Sequence, residues 1–418
     1  MSTRVTLDEL QQMVGTYRKF LDGLRGCLVG RDEAIDQVAR AILTRQHVMT
    51  FGPPGTGKTL LFRVVAGSIE GMKFFSHEVS QFDTIDAVFG PPNIKLLRLK
   101  GEFEHNTAGM LPEADFAHLG EFLDGSQPFL RSLLRALNER ELARGKQIIG
   151  LPLRSAFCDT NKDPVEVLRK NEYLWALLDR IMYFQKVDYI ESDQQAVEMV
   201  RRFQERRYAT NGNHVSKELI DRLSELIVCP PNLFRDEVIL IKLTEAMMEY
   251  RRQRRALLQS QQGIKTLFPE ITDRRIALAS ELPETEAVLA GRLRVEPEDI
   301  MNVGLVIATS PDERQLWNGI ARKTIEEIKD IRGQQVGVVQ NQFLVNLDHQ
   351  LETLAADVSS TTVPVSDSVG LLKELERQLI ELRPEDDAAT EGKAKATARL
   401  AGIRKKLRSR IMSEAGMA

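Results

Sequence analysis

The sequence is poor in cysteine, in long apolar runs and in any surplus of one charge. Three scattered cysteines, Cys27, Cys158 and Cys229, cannot build a disulfide framework and lack zinc-ligand spacing. They suit a reducing compartment. No apolar stretch approaches the ~20 residues of a membrane span, and residues 1–12 hold no signal-peptide apolar region. A cytoplasmic protein without membrane contact is expected. Lys and Arg number 57 against 60 Asp and Glu, a formal charge of −3. No broad basic surface follows, so nucleic acid is not the default partner.

What is present is an ordinary globular composition, 42% hydrophobic and 28% charged over 418 residues. At ~100–200 residues per domain that length allows two or three domains. Leu10, Met13, Val14, Tyr17, Leu21 and Leu24 recur at helical spacing, behind Asp8 and Glu9 in the first turn. Ile35, Val38, Ala39 and Ile42 predict a second helix. Residues 47–51 then read as a short buried strand. From there to about Tyr189, strands predicted at 74–79, 114–119, 154–159 and 181–184 alternate with helices, the mark of a mostly parallel sheet covered on both faces. Residues 128–140 predict an amphipathic helix, and 141–153 a hairpin turning at Arg144-Gly145. From Asp193 to about Asn318 the period is helical throughout. Beyond Gly319, helices are expected at 320–355 and 371–383, separated by a polar linker at 357–364.

Gly52-Pro53-Pro54-Gly55-Thr56-Gly57-Lys58-Thr59 fits the pattern G-x-x-x-x-G-K-[ST], between a predicted strand and a predicted helix. Glycines let such a loop fold around a phosphate chain, with backbone N–H groups aimed inward at a helix start. Lys58 would reach the β- and γ-phosphates of ATP, and Thr59 would offer its hydroxyl to Mg²⁺.

With that loop in place, the first 320 residues resemble the MoxR group of AAA+ ATPases, nearest to its RavA-like branch. The resemblance is carried by Gln81-Phe82-Asp83-Thr84 through Val88-Phe89-Gly90-Pro91, by Gly101-Glu102-Phe103-Glu104 through Asp115, by Leu137-Asn138-Glu139-Arg140, and by Ile271-Thr272-Asp273-Arg274-Arg275. It implies an α/β AAA+ P-loop core over 1–190, an all-α lid over 191–318 and, unassigned by the resemblance, a helical extension over 319–418. It further implies a homo-oligomeric ring, six-membered by family habit, with ATP between subunits. A protein partner, one with a von Willebrand A-type domain, would be remodelled or activated.

The resemblance also names roles. Glu121 stands where a carboxylate polarises the attacking water. The aspartate that normally precedes it is replaced by Gly120, which predicts retained ATP binding and weakened hydrolysis, since losing an outer-shell partner costs ~10–100-fold in metal affinity or activity. An ATP-gated scaffold with little turnover is the alternative. His118 is expected to pack within the sheet, and Asp115 to lie too early to reach the metal. Asn161 matches the polar residue beside the γ-phosphate. Arg180 resembles the finger lent to a neighbouring subunit. Arg274 matches the second sensor arginine, with Arg275 as the alternate because the register is open by one.

Basic residues Lys95, Arg98 and Lys100, and Arg140, Arg144 and Lys146, could touch an acidic partner or nucleic acid, or form a solvated face. Leu371, Leu372, Leu375, Leu379 and Ile380 suggest a helical hairpin or short coiled coil, and acidic residues 385–387 precede a basic run from Lys393 to Arg410.

Overall fold

A computed structural model describes residues 5–102, 104–144, 147–205, 213–228, 236–260, 266–359, 365–381 and 387–414. The predicted hairpin turn at Gly145, Cys229, residues 360–364 of the predicted linker and acidic residues 385–386 lie outside them.

The first helix, α1 (Leu7–Cys27), begins on a capping box: Thr6 Oγ1 accepts from Glu9 N, and Glu9 accepts from Thr6 N. Its apolar stripe is buried together with that of α2 (Asp32–Leu43). Then β1 (His47–Phe51) leads through the glycine-rich loop into α3 (Lys58–Gly67). Next come β2 (Ile69–Glu70), β3 (Phe74–Glu78), the short α4 (Asp86–Phe89), α5 (Ile94–Lys100) and β4 (Phe116–Gly120). After α6 (Gln127–Glu139), β5 (Glu141–Arg144) and β6 (Gln147–Gly150) form the hairpin. The core finishes with β7 (Ser155–Thr160), α7 (Pro164–Lys170), α8 (Trp175–Leu178) and β8 (Ile181–Lys186).

Five of these strands make one parallel sheet in the order β3-β4-β7-β1-β8. Alternation along the strands supplies both faces. Phe116, His118 and Phe157 meet Phe62 of α3 on one side. Ala117, Leu119, Ala156 and Cys158 join Phe129, Leu130, Leu133 and Leu137 of α6 in a second buried cluster. The predicted parallel sheet with helices on both faces is present.

Strand ends differ by one or two residues from the pattern. β4 starts at Phe116 rather than Ala114, because the Asp115 carboxylate is drawn to the Lys73 N–H (3.0 Å) and the Lys217 ammonium (2.5 Å). The pattern gave no sign of β9 (Val215–Ser216), which pairs with β2 over two residues.

The helical region continues with α9 (Asp193–Gln204), α10 (Lys217–Val228), α11 (Glu237–Ser260), α12 (Asp273–Ala279), α13 (Leu282–Leu289) and α14 (Gly304–Ile307). Fully buried Arg254 donates to Glu313 (2.7 Å) and Thr266 (2.7 Å), and Glu313 also accepts from Thr309 and Ser310. Such a pair is tolerable only because its remaining donors and acceptors are met.

The chain divides into two compact units, Met1–Ile325 and Glu326–Ala418. The second contains most of α15 (Pro311–Ser359), with α16 (Val365–Glu381) and α17 (Asp387–Glu414). Leu351, Leu354, Leu375, Leu379, Leu400 and Ile403 share its core. The helix runs past the predicted linker start at Asp357 because Val358 extends the buried stripe. Part of the basic run is neutralised here, with Arg399 3.2 Å from Glu352 and Arg404 3.2 Å from Glu376. Exposed pairs like these stabilise by only ~0–1 kcal/mol.

Candidate active site

β1 delivers the chain to Gly52 at the carboxyl end of the sheet. Gly52 has φ +144°, and a side chain there would sit 2.2 Å from the Val187 carbonyl oxygen. Gly57 caps α3 in the left-handed region, at φ 84°. The loop is therefore closed to other residues at both ends. Inside it, Lys58 Nζ donates to Gly52 O, Pro53 O and Asn161 Oδ1, each at 2.9 Å. Burial lowers the Lys58 pKa, while the Asp159 and Glu121 carboxylates oppose that shift.

Glu121 follows β4 in the left-handed region, φ 47° and ψ 41°. For a residue with a Cβ that conformation costs ~1–2 kcal/mol, and strain of this kind gathers at functional sites. Its carboxylate accepts from Asn161 N (3.2 Å) and from Asn161 Nδ2. Asn161 thus joins the ammonium of Lys58 to the carboxylate of Glu121.

Gly120 precedes Glu121 at the end of β4. Thr59 Oγ1 donates to Asp159 Oδ2 (3.1 Å), and Asp159 Oδ1 accepts from Glu121 N (3.2 Å). Burial works to raise the Asp159 pKa, but His118, Glu121 N–H and the Thr59 hydroxyl together hold it below the usual aspartate value. His118 is buried within the sheet, and Asp115 lies at the other end of β4.

An apolar cavity of about 290 Å³ borders Gly55, Thr56 and Gly57. Leu28, Val29, Ile190, Met199 and Val200 line it. Arg31 Nε donates to Thr56 O (2.9 Å) at its rim. The sequence reading missed this cavity, since its lining comes from several separate segments and no local pattern links them.

Arg180 and Arg274 are not brought to this cluster. The register pairs His47 with Ile181 and Phe51 with Lys186. Arg180 just precedes Ile181 and the loop just follows Phe51, so ~16 Å of parallel strand, at ~3.3 Å per residue, separates them. Arg274 sits with Arg180 at that far edge. Its side chain is 39% exposed, with Nη1 3.9 Å from Asp179 Oδ2. Burial, then the charge of Arg274, lowers the Arg180 pKa. Buried Arg180 Nε has no hydrogen-bond partner among the described residues.

Packing sets Arg274 and Arg275 apart. Arg275 is buried, donating to Ile181 O (2.7 Å) and Val306 O (2.8 Å) with its guanidinium 3.8 Å from the Phe268 ring centroid. Thr272 caps α12 and also donates to Asp179 (3.0 Å). Arg274 is the one that faces outward.

Comparison with known proteins adds relatives. Two proteins of Methanocaldococcus jannaschii are similar: one is 32% identical over 192 residues, 46% of this chain and 49% of that protein. The other is 28% identical over 296 residues, 71% of this chain and 72% of that protein. A structural protein of the Acidianus two-tailed virus is 30% identical over 177 residues, 41% of this chain and 28% of its own length. The matched region thus spans about half the length of the first relative. A crystal structure of a protein assigned as an ATPase, from Cytophaga hutchinsonii, superposes with a TM-score of 0.59 at 18% identity, covering 76% of this chain and 96% of that one. At that identity the likeness speaks to fold alone. The family profile described as the MoxR domain of MoxR-vWA-beta-propeller ternary systems matches residues 16–225, half of the chain and all of the cluster around Lys58. On that match, over a parallel sheet of the AAA+ kind, the protein belongs to the MoxR family.

Proposed function

We propose that the chain binds and hydrolyses ATP between subunits of a homo-oligomeric ring, six-membered on the family resemblance, and uses the cycle to remodel or activate a protein partner in the cytoplasm. The observation that carries this is the linked set Lys58, Asn161 and Glu121 at the mouth of the glycine-rich loop. Backbone N–H groups of the loop and the Lys58 ammonium would bind the phosphates. The base would enter the apolar cavity beside Gly55–Gly57. Glu121, fixed by Asn161, would orient the water that attacks the γ-phosphorus as the bond to ADP breaks, and accept its proton.

The hydroxyl of Thr59 and the carboxylate oxygens beside it are the hard donors that suit Mg²⁺. When bound, that ion neutralises charge on the β- and γ-phosphate oxygens. Arg180 and Arg274 would act on a neighbouring subunit's nucleotide, because their own loop is a sheet length away. Two adjacent guanidiniums, that of Arg274 39% exposed, are suited to an anion arriving from outside.

The matched profile's description supports a von Willebrand A-type partner. The RavA-like branch rests on the motif spellings alone. A second reading, an ATP-gated scaffold, is favoured by Gly120. Phosphate release by the native chain and by Glu121→Gln, with light scattering in ATP, tests both. Ring-sized particles and turnover that falls at least ~100-fold in Glu121→Gln are expected, the usual scale for a general base. Rings without turnover in either chain would leave the scaffold; monomers with no nucleotide affinity would sink both readings.

A further inference from the structure

We propose that Asp159 positions the metal ligand Thr59, supplying from β7 the carboxylate that Gly120 does not supply from β4. The inference rests on the nucleotide-binding reading above and deepens it.

A side chain at position 120 would have to displace the carboxylate end of Glu78, an exposed side chain. A Cβ built on Gly120 would lie 2.0 Å from Glu78 Oε2 and 2.5 Å from its carboxyl carbon. Glu78 is the register partner of Gly120 on β3 and leans over it. On the other side of β4, the β4–β7 register runs to Leu119–Cys158, so the next residue of β7, Asp159, stands level with Gly120. The carboxylate has moved one strand sideways at the same height.

Its bonds match the task. Asp159 Oδ2 accepts the Thr59 hydroxyl at 3.1 Å, and Oδ1 accepts the backbone N–H of Glu121 at 3.2 Å. One buried carboxylate therefore fixes both the hydroxyl offered to the metal and the backbone of the water-orienting glutamate. Asp159 is itself held by His118 Nε2 at 3.0 Å, and His118 Nδ1 meets Ser76 Oγ at 3.0 Å. An ionised carboxylate only accepts, so Nε2 donates to it. The imidazole lies against the Phe62 ring with centroids 4.5 Å apart. Three strands and α3 thus lock the carboxylate in one orientation, as outer-shell groups must be. Glu78 covers the gap; Asp159 takes the Thr59 hydroxyl.

The test is ATP binding to the full chain by calorimetry, with Mg²⁺ and with EDTA, backed by Mn²⁺ affinity from electron paramagnetic resonance in the presence of ADP. Asp159→Asn should keep metal-free ATP affinity within ~2-fold and lose ~10–100-fold of the Mg²⁺-dependent gain and of Mn²⁺ affinity, the range for outer-shell partners. Glu78→Gln should change neither. Asp159→Ser, smaller and still able to accept from Glu121 N–H, reads the same quantity if the asparagine variant does not fold. A Mg²⁺ gain left intact in the Asp159 variants, or lost in Glu78→Gln instead, overturns the assignment. A native chain with metal-free ATP affinity but no Mg²⁺ gain overturns it too, while leaving nucleotide binding standing. A native chain that binds no ATP in either condition removes both.

Discussion

At the carboxyl edge of the sheet, Lys58, Thr59, Glu121, Asp159 and Asn161 are joined to one another by hydrogen bonds. At the amino edge, Arg180 and Arg274 lie together beside Asp179, with the Glu139 carboxylate also acting on Arg180. The first edge is rich in carboxylates around one buried ammonium. The second has guanidinium charge in excess of its local partners. Neither edge alone completes a phosphoryl-transfer site, which needs a loop and a charge that stabilises the transition state. Under the proposed function, the groups for one reaction are separated by the length of β1, and assembly would join them.

The sharpest way to break that comparison is to damage the edges in separate chains. Arg180→Ala should lower phosphate release by ~10³–10⁵-fold, as loss of an arginine finger does, with ATP binding to the loop unchanged. Lys58→Ala should weaken ATP binding ~10–100-fold, equivalent to ~1.5–3 kcal/mol for a charged hydrogen bond. Each variant alone should be nearly inactive. Mixed in equal amounts, they should regain measurable turnover at interfaces pairing an intact loop with an intact Arg180. No recovery in mixed particles would place both edges in the same active site and end the two-chain reading.

A second pair separates neighbours in sequence. Arg275→Ala should destabilise the first unit by ~3–5 kcal/mol, the cost of breaking a buried charged network, because it strands the carbonyls of Ile181 and Val306. Arg274→Ala should shift stability by less than ~0.5 kcal/mol, as exposed substitutions do, while lowering turnover. Thermal unfolding alongside phosphate release distinguishes them. Equal stability losses would mean that Arg274 is structural as well.

The smallest effect concerns acid. The folded pKa of Asp159 lies below the ordinary 3.8, so its contribution to stability is full above that value and is lost as pH falls through the folded value. Asp159→Asn should flatten that acid limb, by less than ~1.4 kcal/mol per pH unit for one proton. Urea unfolding at a series of acidic pH values measures it; an unchanged slope would mean that His118 and Thr59 do not stabilise the ionised carboxylate.

Much of the fold was readable from order alone. The strand, loop and helix from His47 to Gly67 announce themselves because glycine and proline spacing, apolar runs and helix starts are local properties. Helices such as α1 and α6 follow from their apolar period. The pairing of β2 with β9 was invisible, since two-residue strands carry no period. Asp159 read only as a strand residue. Its meaning depends on β7 lying beside β4 at a particular height, and that register is set by packing across the whole sheet.

The sequence by itself determined the glycine-rich loop, the parallel sheet with helices on both faces, and the absence of a side chain at position 120. The loop and position 120 are encoded within a few neighbouring residues, the sheet in the alternation of strands and helices along the chain. Tertiary structure alone decided that Arg275 is buried and Arg274 faces out, that the arginines stand across the sheet from the loop, and that a carboxylate from β7 meets Thr59. Those outcomes depend on distances between segments about a hundred residues or more apart, as Thr59 and Asp159 are, and chain order does not fix such distances until the core packs.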